Sequence, residues 1–158
     1  HSLRLLREIK NVIQGKALLE YFRHNRAMGN KSYLCRPEEI LAPDEIERLI
    51  EAGVDIINIP APGTLPGFSL DLVSNLVYIV HQNGKLASLG IYNSIEGTNI
   101  DTLLRIAYES KVAGADIHEL GASGFRVSMI DPQAIMAYST SIKGIRHTYR
   151  RMATSIYR

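Results

Sequence analysis

Cysteine is nearly missing: Cys35 stands alone among 158 residues, so no disulfide can form within the chain. A lone cysteine suits a reducing compartment, and a cytoplasmic location is expected. Tryptophan is absent and phenylalanine scarce, leaving tyrosine as the main aromatic residue. No apolar run approaches the roughly 18 residues that a membrane span requires, and no secretory leader pattern is visible, so no membrane partner is expected. Charge is nearly balanced at +2, too little to imply a nucleic-acid partner for the whole chain. The five histidines show no HxH, HExxH or CxxC spacing, and there is no Walker loop or GxSxG elbow. Neither a metal nor a cofactor is expected. The chain begins with His1 rather than Met, which fits a processed, trimmed or tagged piece of something longer.

What the chain does contain is a statement made twice. EAGVDIINIPAPG (51–63) and VAGADIHELGASG (112–124) agree at six of thirteen positions and lie 61 residues apart. Each copy follows a helical pattern. Ile46, Leu49 and Ile50 recur at helical spacing behind Pro43, Asp44 and Glu45. Leu103, Leu104, Ile106, Ala107 and Ser110 do so behind Thr98, Asn99 and Asp101. Gly53 and Gly114 then sit where a helix favours a left-handed C-terminal residue. A β-type run, a glycine-bearing loop and another helical stretch follow in both copies. Between them, residues 69–84 read as a helix closing on Asn83-Gly84, and residues 85–92 as a strand. Strand starts near 54, 86 and 115 give a period of about 30 residues, that of βα units in a parallel sheet or (β/α) barrel.

The expected fold is therefore α/β: a partial or half (β/α), TIM-like barrel in one domain, residues 1–158. Its parallel strands lie near 54–60, 85–92 and 115–121, with covering helices. Residues 1–30 form an N-terminal helical segment, and residues 38–158 form the βα body with a basic C-terminal helix. The N-terminal segment has two readings. One is a long helix interrupted at Gly15, which is preferred; the other is a helix to Lys10, a strand over 11–16 and a second helix. In the second, Lys16 ends a strand. Three or four strands cannot close a barrel and leave edges uncovered, so a homo-oligomer is expected.

Strand alternation sorts the polar residues. Asp55, Ile57 and Ile59 share one face of the first strand, with Val54, Ile56, Asn58 and Pro60 on the other. In the middle strand Ala87, Leu89 and Ile91 oppose Leu86, Ser88, Gly90 and Tyr92. The uniformly apolar face suits the helices, leaving the mixed face for the interior. The repeat aligns Asn58 with Glu119 and Ile57 with His118, so the adjacent pair His118-Glu119 cannot serve one site from a regular strand. Glu119 is the acid/base candidate, because an inward carboxylate near a strand's C-terminal end must be paired or used. His118 is the second catalytic candidate, with packing against helices as its alternative. Lys16 is the third, as an amine nucleophile or phosphate contact. Asn58 and Tyr92 are candidates to orient substrate. Asp55 and Asp116 begin their strands, away from barrel chemistry, and suit hydrogen bonds to the helix-to-strand turns.

The loops after the strands carry Gly63 and Thr64, then Ser94, Gly97 and Thr98, then Gly121, Ser123 and Gly124. Glycine-rich loops opening helices bring backbone N–H groups to an anion, so these residues are candidates to bind a small phosphorylated or carboxylated metabolite. In the tail, Arg146, His147, Arg150, Arg151 and Arg158 interleave with Tyr149 and Tyr157. The tail can pack Ile145, Tyr149, Met152 and Ile156 against the body, bind RNA, or fold an arginine back onto a ligand. Packing is the preferred reading, and no nucleic-acid partner is expected.

The runs AGVDIINIPAPGTLPGFSLDLV (52–73), SKVAGADIHELG (110–121) and IMAYSTSIKGIRHTYRRMA (135–153) resemble the C-terminal half of an uncharacterised bacterial family of (β/α)-barrel proteins. Its members are often labelled "haloacid dehalogenase-like hydrolase". The resemblance covers residues from about 38 to 158. It implies a TIM-like fold with a site at the strand C-termini, and no particular reaction. The chain contains no DxD, the aspartate-nucleophile motif that haloacid dehalogenase chemistry requires. The functional expectation is an enzyme of hydrolase, isomerase or lyase type, against a non-catalytic binding or assembly module.

Overall fold

Helix ends are written into the sequence by residues that satisfy orphan backbone groups. The Ser69 hydroxyl accepts from Leu72 N, the Asn99 side chain from Thr102 N, and the Asp131 carboxylate from Gln133 N. Gly53 and Gly114 take the left-handed backbone at φ 100° and 98°. In this computed structural model, residues 2–22, 36–91, 94–121 and 130–154 are described. The elements are α1 (Ser2–Ile13), β1 (Glu20–Tyr21), α2 (Pro37–Ile40), α3 (Pro43–Glu51), β2 (Ile56–Pro60) and α4 (Leu70–Gln82). They continue with β3 (Leu86–Gly90), a 3₁₀ turn (Ser94–Gly97), α5 (Ile100–Ala113), β4 (Ile117–Glu119), α6 (Pro132–Lys143) and α7 (Ile145–Met152).

The four strands form an all-parallel sheet in chain order, β1-β2-β3-β4. Asn58 stands opposite Ser88, and Gly90 opposite Glu119. One face is dry. Ile57, Ile59, Ala87, Leu89 and Ile91 pack with Ile46 and Leu49 of α3, Val73, Leu76 and Val80 of α4, and Leu103 and Ile106 of α5 in one cluster. Each Val, Leu or Ile among them contributes about 1.5–3 kcal/mol by leaving water. Ile56 is buried too, yet lies outside that cluster, because alternation turns it to the opposite face with Asn58. Here α3, α4, α5 and α6 pack side by side in sequence order.

Three expectations are corrected. First, the N-terminal segment is neither a long helix nor a helix with a strand over 11–16. Gln14 (φ 46°) and Gly15 (φ 76°) both turn left-handed and stop α1, and the chain enters the sheet only at Glu20. Two consecutive left-handed residues cannot continue a right-handed helix. Second, strands are shorter than expected: β4 spans Ile117–Glu119, and β3 stops at Gly90. Third, the tail does not pack Ile145, Tyr149 and Met152 against the body. Gly144 (φ 76°) separates α6 from α7 and turns α7 so that Thr148 is its buried residue. The three apolar side chains are left at 59%, 50% and 66% exposure. Ile156 lies outside the described residues.

Candidate functional site

The strand starts are held by the two repeated aspartates. Asp55 Oδ2 accepts from Leu19 N at 3.0 Å and pairs with Lys10 at 2.5 Å, while Oδ1 pairs with Lys85 at 3.1 Å. Asp116 Oδ2 accepts from Ala87 N and meets His81 Nε2, both at 2.8 Å. Each aspartate therefore ties its own strand to the start of the one before. Burial would raise the Asp55 carboxyl, but the Lys10 ammonium, the Leu19 amide and Lys85 together outweigh it and bring it down to about 2.

Further along the strands, on the face away from the helices, polar groups from all four strands converge. Asn58 Nδ2 donates to Glu119 Oε2 at 2.8 Å and to Glu20 Oε1 at 3.1 Å, with Ser88 Oγ at 3.3 Å. An amide nitrogen has two hydrogens, so the two carboxylates take the better bonds and Ser88 a shared one. The orientation follows from charge, since the amide oxygen turned toward two carboxylates would repel both. Asn58 and Ser88 are buried, at 4% and 0% exposure; Glu119 is half-buried and Glu20 exposed. Glu119 reaches β2 across the width of β3, and its register partner there is Gly90, which has no side chain to stand in the way. The two equivalent positions of the sequence repeat thus touch each other.

His118 lies on the other face. Its Nδ1 is 3.0 Å from the Tyr138 hydroxyl of α6, with the rings edge to face at 5.6 Å. Burial, then the nearby Lys143 charge, push His118 below its ordinary 6.5. Burial pushes the Tyr138 hydroxyl up to about 12 against the opposing effect of the Ser110 hydroxyl. Both shifts favour a neutral pair in which the tyrosine donates and Nδ1 accepts. His118 and Glu119 do not meet in one site.

Lys16 is corrected as a site residue. It sits exposed in the turn before β1, its amide bonded to Ile13 O, at the opposite end of the sheet from a strand's C-terminus. The Gly63 and Thr64 donors serve their own loop: Gly63 N donates to Phe68 O, and both Thr64 N and Oγ1 donate to Ala61 O. Ser94 and Gly97 bound the 3₁₀ turn, Thr98 N closes onto Ile95 O, and Gly121 follows β4 with φ 101°. Thr98 lines a cavity of about 440 Å³ between the N-termini of α5 and α6, with Ile100, Asp131 and Gln133. Tyr92, Ser123 and Gly124 lie outside the described residues. Sequence reasoning missed Glu20 and Ser88. Ser88 could have been found, since it shares the mixed face with Asn58; Glu20 was hidden inside a stretch read as helix. Among the described residues, no group of three or more His, Cys, Asp or Glu is placed to hold a metal ion, and no helix is long and apolar enough to cross a membrane.

No curated protein matches the chain significantly. Residues 3–158 match the family described as "Domain of unknown function (DUF7916)", and the chain belongs to that family.

Proposed function

We propose that the sheet is half of a (β/α), TIM-like barrel whose helix-free face carries an enzyme site for a small phosphorylated or carboxylated metabolite. The observation that carries this reading is the convergence of Glu20, Asn58, Ser88 and Glu119 on that face. Sequential strand order with helices side by side supports the barrel reading, and barrel chemistry occurs near strand C-termini, where Glu119 ends β4. Glu119 acts as the acid/base. Asn58, buried beside Ser88, holds that carboxylate in place. The reaction class is hydrolysis, isomerisation or carbon–carbon bond chemistry. The N-terminus of α5 behind Ser94, Gly97 and Thr98, with Gly121 after β4, provides the anion contacts. A cytoplasmic setting accords with the single cysteine.

One observation favours a second reading. Asn58 joins three other strands by itself, which a non-catalytic binding or assembly module could use purely as a clamp. A panel of sugar phosphates and short carboxylic acids, screened for turnover with wild type and Glu119→Gln, separates the two. Glutamine keeps the acceptor oxygen and removes the ionisable group. The enzyme reading expects turnover to fall by about 10²–10⁴-fold with the fold intact. Unchanged turnover in the variant would sink the role of Glu119.

A further inference from the structure

The sheet ends in two edges, and both carry unfinished apolar surface. Among the described residues, β1 and β4 have no further strand beside them. Ten of the fifteen exposed large apolar side chains among the described residues belong to these two ends, on α1 and beside β1, or on β4, α6 and α7. On α1, Leu5, Ile9 and Val12 form a stripe at i, i+4 and i+7; on α7, Ile145, Tyr149 and Met152 do the same. A groove of about 240 Å³ runs between α6 and α7, with Ile135, Met136 and Met152 in its walls and Lys143 and Arg151 among its lining residues.

Charge differs between the ends in a way that selects an occupant. Residues 132–158 contain no aspartate or glutamate, and Lys143, Arg146, Arg150 and Arg151 stand exposed around the α7 stripe. Residues 36–51 hold six carboxylates against two arginines, with Glu38, Glu47 and Glu51 exposed on α2 and α3. The end of α3 adjoins α1, whose Lys10 lies against Gly53 and pairs with Asp55. Arg4 of α1 is paired with Glu8 at 2.9 Å. The α1 helix thus offers an apolar stripe, on an element that also bears Arg4, Arg7 and Lys10, next to the acidic surface of α2 and α3, and the α7 end offers an apolar stripe among cations.

We propose that the basic α6–α7 face is the docking surface for a second copy of this chain, which presents its α1 stripe and the acidic α2–α3 surface. With two-fold symmetry the same contact forms twice, and eight strands then enclose the polar face that bears Asn58 and Glu119. This rests on the half-barrel reading, but the test below reads mass rather than turnover, so its failure is distinguishable from a failure of the acid/base assignment.

The experiment is sedimentation equilibrium on the 158-residue chain, with two charge-reversed variants. These are Arg150→Glu with Arg151→Glu, and Glu47→Lys with Glu51→Lys, all at exposed positions. Wild type is expected to sediment at twice the 17.6 kDa chain mass. Each variant alone should dissociate at least about tenfold more readily, and an equimolar mixture should recover the wild-type affinity. Circular dichroism verifies that both variants fold. A wild-type monomer overturns the proposal, as does a mixture that fails to recover. A monomer that instead binds anionic vesicles or RNA assigns the basic face to those partners and overturns it equally.

Discussion

The two copies of the sequence repeat occupy unlike places in one sheet, and their differences follow from place. The first copy supplies β2, an interior strand whose five residues are all buried. The second supplies β4, an edge strand of three residues with partial exposure. The aspartates keep the same task, each accepting the backbone N–H at the start of the preceding strand. Two of the divergent positions, 57/118 and 58/119, pass from buried in the first copy to partly exposed in the second. On the helix side, Ile57 becomes His118, which can be polar because α6 brings Tyr138 to meet it. On the open side, neutral Asn58 becomes charged Glu119. A fully buried strand tolerates an amide that is satisfied by neighbours, whereas a carboxylate needs the partial exposure an edge provides.

Exchanging these roles should fail most severely at the centre. Asn58→Asp places a third carboxylate against Glu20 and Glu119 and removes their shared donor. A loss of about 3–5 kcal/mol in urea unfolding near neutral pH is expected. An unchanged midpoint would mean that Asn58 is not the keystone of the four strands.

The aspartates sharpen the comparison at the next level. Asp55 has two lysine partners and Asp116 one histidine, so Asp55→Asn should cost roughly 1–3 kcal/mol and Asp116→Asn less. The sign of the pH dependence follows from the lowered Asp55 carboxyl. Its contribution is complete above its ordinary 3.8 and is lost as pH falls toward about 2. Acid unfolding of wild type and Asp55→Asn should therefore converge across that interval; parallel curves would exclude the two ion pairs as the source.

The smallest effect belongs to His118. Its folded-state pKa is below 6.5, so the unfolded chain takes up a proton that the folded one resists. Stability should decline as pH falls below about 6.5 and level off beneath the folded pKa. His118→Phe should remove that decline while costing about 1 kcal/mol near pH 8, since Tyr138 loses its acceptor. Denaturant titrations at several pH values provide the check, and an identical decline in the variant would contradict it.

Much of the body was readable because it depends on local rules. Gly53, Gly114 and Ser69 mark helix ends by backbone chemistry alone, and period-two alternation carried through the repeat placed Asn58 and Glu119 on one face. The N-terminal strand was not readable. Two residues carry no period, and apolar residues on both sides of Gly15 suit a helix as well as an edge strand. The α7 face was misread for a related reason: Ile145, Tyr149 and Met152 form a sound amphipathic stripe, but periodicity gives a stripe and not the direction in which it points.

By itself, the sequence determined the βα period, several helix limits, and the face on which the residues of β2, β3 and β4 lie. These depend on backbone geometry within a few residues of each position. Tertiary structure decided that Glu20 joins Asn58 and Glu119, that Lys16 stands apart from them, and that α7 turns its apolar side outward. Those outcomes depend on the register between strands and on the angle at one glycine, which are set by contacts between residues far apart in the chain.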